Sequence, residues 1–247
     1  MDKFLPVIKP IKIDNPNIWV LGNEIDNGES SIIYSVLDSS LGIKYILKYM
    51  SFENYYRDDQ DNQNECEQAV INEVNNQELC SDNTDIAPKI KEAWICEKGA
   101  IIIMEKLDFS IHNLLFMYKS FLVRYLIVKE ILEIIEKMHQ RGIIHHDTHT
   151  NNFMVRITNI SNNGIEYDKN NEYVHYKSQG YKYYVIDFGS SELINDNITE
   201  NITENDDYVI FISSLIYYFS TDELVKLFKD SKKLTYEQKI RLLGYYF

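Results

Sequence analysis

Two short runs hold the chain's most chemically loaded residues. His145-His146-Asp147-Thr148-His149-Thr150-Asn151-Asn152 reads H-x-D-x-x-x-x-N, and Asp187-Phe188-Gly189 follows later. Asp147 offers a carboxylate able to accept a hydroxyl proton. Asn152 and Asp187 offer an amide oxygen and a second carboxylate, the hard ligands that magnesium prefers. A base followed by two oxygen donors is the inventory for phosphoryl transfer from ATP. Each motif lies beside a β-like run, Phe153-Met154-Val155 and Tyr183-Tyr184-Val185-Ile186.

In this order the two motifs resemble those of the protein-kinase superfamily, and the resemblance runs from about Trp19 to Phe219. It implies roles for further residues. Tyr45-Ile46-Leu47-Lys48 is similar to the family's V-A-I-K, so Lys48 would bridge the α- and β-phosphates of ATP. Such a lysine takes a helix carboxylate as partner; Glu73, in Ile71-Asn72-Glu73-Val74, fits best, with Glu67 as runner-up. The segment from Asp26 to Ser31 aligns with the glycine-rich phosphate loop but keeps only its middle glycine, Gly28. Backbone N–H groups must approach phosphates closely there, and Asp26 and Glu29 would repel them. Ile101 to Leu107 is similar to the strand and hinge that hold adenine. Met104 would sit beside the base, and backbone groups of Glu105 and Leu107 would bond it. Asp147 would orient or deprotonate the acceptor, Asn152 and Asp187 would hold Mg²⁺, and His145 would be structural.

Departures from the family pattern bear on the acceptor. His146 stands where many kinases carry an arginine that binds an activating phosphate. His149 stands where Ser/Thr kinases carry a lysine near the γ-phosphate; H-x-D-x-H-x-x-N is instead similar to choline and aminoglycoside kinases. It would either touch the phosphate or pack under the loop. The A-P-E anchor is absent, and the segment after Gly189 is acidic, with no Lys or Arg from Glu192 to Asp207. Asp206 or Asp207 would brace the catalytic loop. The short chain beyond leaves little of the usual substrate platform, as in the small kinases of tRNA-modification complexes. The expected activity is an ATP- and Mg²⁺-dependent transfer to a protein Ser/Thr hydroxyl. A small-molecule kinase, or a pseudokinase acting as a scaffold, is the alternative.

The elements that must position these residues show in the apolar periodicity. Strands are expected at Trp19–Leu21, Ser31–Val36, Ile43–Tyr49, Ile90–Cys96 and Ala100–Glu105, with a polar loop over 51–64 and a helix from about Glu65 to Cys80. That helix would present Ala69, Val70, Val74 and Leu79 as its apolar positions. From Ser110 the pattern turns helical, most clearly from Phe121 to Arg141, and Gly142 ends it. Residues 156–181 read as an inserted hairpin or loop, and a last helical section starts near Asp206. The fold class expected is α+β. By resemblance it is bilobal, with an antiparallel β-rich N-lobe over 1–105 and a reduced helical C-lobe over 106–247.

Composition narrows the partners. A net charge of −13 over 247 residues disfavours nucleic acid and anionic membrane, and suits a basic protein or a small cationic substrate; the short acidic segment after Gly189 suggests a basic substrate or an activating protein partner that completes the fold. Cys66, Cys80 and Cys96 lack metal-site spacing and read as free thiols. Met1 to Pro6 lacks the apolar stretch of a signal peptide, so a cytoplasmic protein is expected.

Overall fold

The structure is a computed structural model. It describes residues 7–13, 18–28, 31–52, 60–82, 84–158, 166–167, 173–175, 180–194, 204–220, 222–224 and 226. The chain is α+β and divides into two compact units. One comprises 1–106 with Asp187–Gly189; the other comprises 107–186 with 190–247.

In the first unit, strands β1 (Val7–Ile13), β2 (Trp19–Asn27), β3 (Ser31–Asp38) and β4 (Ile43–Ser51) precede helix α1 (Gln60–Asp82). Strands β5 (Ile90–Cys96) and β6 (Gly99–Glu105) follow it. The six strands form one antiparallel sheet in the order β1-β5-β6-β4-β3-β2. β1 had no counterpart in the sequence reading. Its Pro10 lacks a ladder donor, which an edge strand tolerates, and the pairing with β5 is irregular on both sides of that proline.

Tyr45, Leu47 and Ile103 pack on one side of the sheet with Val36 and Cys96; Ala93, Ile95, Ile102 and Met104 pack on the other with Val70 and Val74 of α1. Alternation along the strands thus gives the unit two apolar layers.

Helix α1 starts five residues earlier than the periodicity predicts, because its first turns are polar and carry no apolar signal. Its buried face also differs from the expected one. Cys66, Val70, Glu73, Val74, Gln77 and Cys80 are buried, whereas Ala69 and Leu79 are exposed. The helix therefore turns polar side chains inward, Glu73 and Gln77 at i, i+4 spacing together with Asn76 and Ser81.

The second unit begins with β7 (Phe109–Ser110), α2 (Ile111–Met117) and α3 (Phe121–His139). Ser110 caps α2, its hydroxyl accepting from the Asn113 N–H. Helix α3 buries Ile127, Val128, Ile131, Leu132, Ile135 and Met138, the i, i+3, i+4 stripe read from the sequence. Gly142 follows with φ +73°, a left-handed value that favours glycine.

Next come β8 (Ile143–Ile144), a 3-10 turn at Thr150–Asn152, β9 (Phe153–Ile157), β10 (Glu166–Tyr167) and β11 (Tyr173–His175). β12 (Tyr181–Val185), β13 (Glu192–Leu193), α4 (Glu204–Ser213) and a 3-10 turn at Ser214–Tyr217 follow. β12, β9 and β7 form a three-stranded sheet, and β13 pairs with β8. Of the expected insert, the described residues show an antiparallel β10–β11 pair; most of 156–181 lies outside them. Among the described residues, no helix is long and apolar enough to cross a membrane.

Candidate functional site

Within the first unit, Lys48 is buried on β4, on the same face as Met50 and opposite to Leu47. Its Nζ donates to Glu73 Oε1 at 2.6 Å and to Asp187 Oδ1 at 2.7 Å. Of the helix carboxylates considered from the sequence, Glu73 is the one that meets this lysine. Burial alone would push the Lys48 ammonium down, but the charges of Glu73 and Asp187 outweigh it and hold the group above its usual range. The lysine is therefore a fixed cation.

Asp187 has a half-exposed side chain, and its backbone takes φ +63°. Only three non-glycine residues among those described have positive φ: Asp85, His146 and Asp187. Two of the three lie in the two motifs. A left-handed value on such residues costs roughly 1–2 kcal/mol and is kept only where surrounding contacts impose it. Gly189 stands close to the same groups: a Cβ there would lie 3.5 Å from Glu73 Oε2 and 3.7 Å from Asp187 Oδ1.

The expected nucleotide-base residues sit in the sheet. Met104 is buried on β6, and its Sδ accepts from Gln77 Nε2 at 3.5 Å. The Glu105 N–H donates to the Lys89 carbonyl at 3.0 Å, so that donor is committed within the first unit. Leu107 is buried and belongs to the second unit. Gly28 closes the β2–β3 turn, its N–H donating to Ser31 O at 2.9 Å; Glu29 and Ser30 lie outside the described residues. Gln77 was not anticipated. Its Nε2 also donates to Pro88 O, tying α1 to the chain entering β5.

Within the second unit, the loop from His145 to Asn152 is held by hydrogen bonds from several directions. Asn152 Nδ2 donates to both the Asp147 carbonyl and Asp147 Oδ2, each at 2.9 Å. This fixes the amide with its oxygen turned away from Asp147, available as a ligand. His145 is fully buried; its Nε2–H donates to Ile186 O at 2.9 Å, and its Nδ1 accepts from the Asp147 N–H at 3.3 Å. One ring thus spans Asp147 and the residue that precedes Asp187 in the chain. The Ile186 N–H in turn donates to Asn152 O at 2.9 Å.

Asp207, on the first turn of α4, braces the same loop. Its carboxylate accepts from His139 Nε2 and the His145 N–H, both at 2.9 Å, and from the His146 N–H at 2.8 Å. Burial pushes the Asp207 carboxyl up, but the donors from His139 and His145 pull it further the other way, so it lies below its usual range. Of the two aspartates considered from the sequence, Asp207 carries this contact.

Thr150 is anchored from behind: its N–H donates to Ser214 Oγ, and its hydroxyl meets Tyr218 OH, which also bonds His112 Nδ1. No local pattern links Ser214, Tyr218 or His112 to residue 150, so their part here shows only in the folded structure.

His146 Nε2 stands 3.8 Å from Glu192 Oε2, and His149 Nε2 stands 3.5 Å from Asp147 Oδ2. Among the described residues, no three His, Cys, Asp or Glu side chains are grouped to hold a metal ion by themselves. No protein-family model matches the chain, and no curated protein matches it.

Proposed function

We propose that the protein is an ATP- and Mg²⁺-dependent phosphotransferase of the protein-kinase type, acting on a protein Ser/Thr hydroxyl. The observation that carries this reading is the double engagement of Lys48 by Glu73 and Asp187, residues far apart in sequence. A buried ammonium fixed by two carboxylates suits the α- and β-phosphates of a nucleotide better than it suits packing. A structural role for so buried an ion pair would be no better served than by apolar residues of the same size.

By the resemblance, Asp187, whose carboxylate is half exposed, and Asn152, whose amide oxygen is turned away from Asp147, would each supply an oxygen donor for magnesium. Magnesium commonly takes one or two protein ligands and completes its shell with water and phosphate oxygens. When bound, it would neutralise charge on the β- and γ-phosphates. Asp147, half exposed and oriented by Asn152, would receive the acceptor proton. The acidic chain favours a basic protein as acceptor.

The test is transfer of the labelled γ-phosphate by purified protein with Mg²⁺, with and without a generic basic protein, beside Asp187→Ala. Label in protein that disappears in the variant supports the reading. Label in an added aminoalcohol or aminoglycoside would move the acceptor to a small molecule. Absence of nucleotide binding would leave a scaffold without catalysis.

A further inference from the structure

We propose that His149 is a positioning residue for Asp147, selecting which carboxylate oxygen faces the acceptor; this rests on the phosphotransfer reading above. His149 caps the 3-10 turn that follows it, its Nδ1 accepting from the Asn151 N–H at 3.2 Å. A ring nitrogen that accepts a backbone N–H carries no proton, so the ring proton sits on Nε2. That Nε2 lies 3.5 Å from Asp147 Oδ2, longer than a formed hydrogen bond but with the donor on the correct nitrogen.

The same oxygen already accepts from Asn152 Nδ2 at 2.9 Å. Asn152 Nδ2 thus bonds Oδ2, and His149 Nε2 stands beside the same oxygen, a short movement from donating to it. Negative charge is held there, and Oδ1 is left as the oxygen for the incoming hydroxyl. In the step, the acceptor oxygen bonds the γ-phosphorus as the bond to the β–γ bridging oxygen breaks. The hydroxyl proton passes to Oδ1, and the nucleoside diphosphate leaves. Both side chains are partly exposed, His149 at 39% and Asp147 at 44%, so an acceptor can reach the pair. The histidine acts through Asp147, with no contact to the phosphate.

Two substitutions separate this role from a merely structural one. In His149→Asn, the amide oxygen can still accept from the Asn151 N–H, but the donor toward Asp147 is lost. In His149→Gln, the longer amide restores a donor near the position of Nε2. The Asn variant should fold normally and keep KM for nucleotide while kcat falls about 10-fold or more, and the Gln variant should recover most of that loss.

Histidine ¹H–¹⁵N correlation spectra of ¹⁵N-labelled protein, with the His149 signal identified by its loss in the Asn variant, should show a protonated Nε2 and a bare Nδ1. Asp147→Asn should shift the Nε2 resonance. A proton on Nδ1, or undiminished kcat in His149→Asn beside an active wild type, overturns the proposal alone. A wild type without any turnover overturns the phosphotransfer reading and the proposal with it, whatever the spectra show.

Discussion

The Nζ of Lys48 lies 2.6 Å from Oε1 of Glu73, and both side chains are withdrawn from solvent. Neither residue is buried for want of apolar neighbours: Val70 and Val74 flank Glu73, and Leu47 precedes Lys48. An ion pair in such a place offers little net stability, yet losing one member leaves a charge stranded.

That asymmetry makes the first prediction. Lys48→Met should lower unfolding stability by about 3 kcal/mol and Glu73→Leu by less, because Asp187 still pairs the ammonium, while the double variant should recover much of the Lys48→Met loss. Nucleotide binding should disappear in the double variant and in Lys48→Met, because no cation remains for the phosphates. Urea denaturation and calorimetric titration with Mg-ATP read the two properties separately. A double variant no more stable than Lys48→Met would mean that the pair contributes chiefly to folding.

Asp147 makes the second prediction. Asparagine is nearly isosteric and can still accept from Asn152, whose Nδ2 also holds the Asp147 carbonyl, so the loop should keep its shape. On the proposed phosphotransfer, what disappears is the base. Asp147→Asn should bind Mg-ATP within a few-fold of wild type, while kcat falls by about 10²–10⁴. Single-turnover transfer beside equilibrium binding tests this, and equal losses in both would refute the assignment.

How much of this was legible in the sequence depends on where each signal resides. Asp147, Asn152 and Asp187 stood out through residue type and spacing within two motifs, whereas Lys48 and Glu73 followed only from the resemblance those motifs carry, with Glu67 left open beside Glu73. The inward face of α1 differs from the expected one because apolar periodicity cannot register buried polar residues such as Glu73 and Gln77. Strand β1 was hidden by Pro10, which weakens any strand pattern unless the strand is known to lie at an edge. The choice between Asp206 and Asp207 required a helix phase that the polar start of α4 does not fix. Contacts such as Tyr218 with Thr150 join residues with no local relation and arise only on folding.

Close backbone approach gives a third prediction. A Cβ on Gly99 would lie 2.1 Å from the Met50 carbonyl oxygen, where β4 and β6 pair. The obstructing atom belongs to a sheet ladder and cannot rotate away. At Gly22, by contrast, the nearest obstruction is Ser35 Oγ at 2.3 Å, a side-chain atom that can change rotamer. Gly99→Ala should therefore destabilise the first unit by about 2 kcal/mol or more, and Gly22→Ala by clearly less. Thermal denaturation of the two variants side by side decides it, and equal shifts would count against the ladder contact.

Acid sensitivity gives the last prediction. Burial pushes the Asp207 carboxyl up, but His139 and His145 outweigh it and hold its folded-state pKa below the ordinary carboxylate value, while the His146 N–H also donates to it. A carboxyl with a depressed folded pKa stabilises the fold in full above its unfolded pKa, about 3.9 for aspartate, and loses that contribution as pH falls through the folded value. The wild type should therefore lose stability below about pH 4 more steeply than Asp207→Asn, whose amide does not titrate. At neutral pH the variant should be less stable by about 2 kcal/mol or more, because an amide offers one accepting oxygen where three donors converge and adds two donors of its own. The histidine ring at 139 and the two backbone N–H groups would then compete for that oxygen, and the loop carrying Asp147 should loosen. Amide hydrogen exchange at His145 and His146, followed with the pH dependence of urea unfolding, tests both parts. Unchanged protection at those two amides, or parallel acid limbs for variant and wild type, would show that Asp207 does not brace the loop.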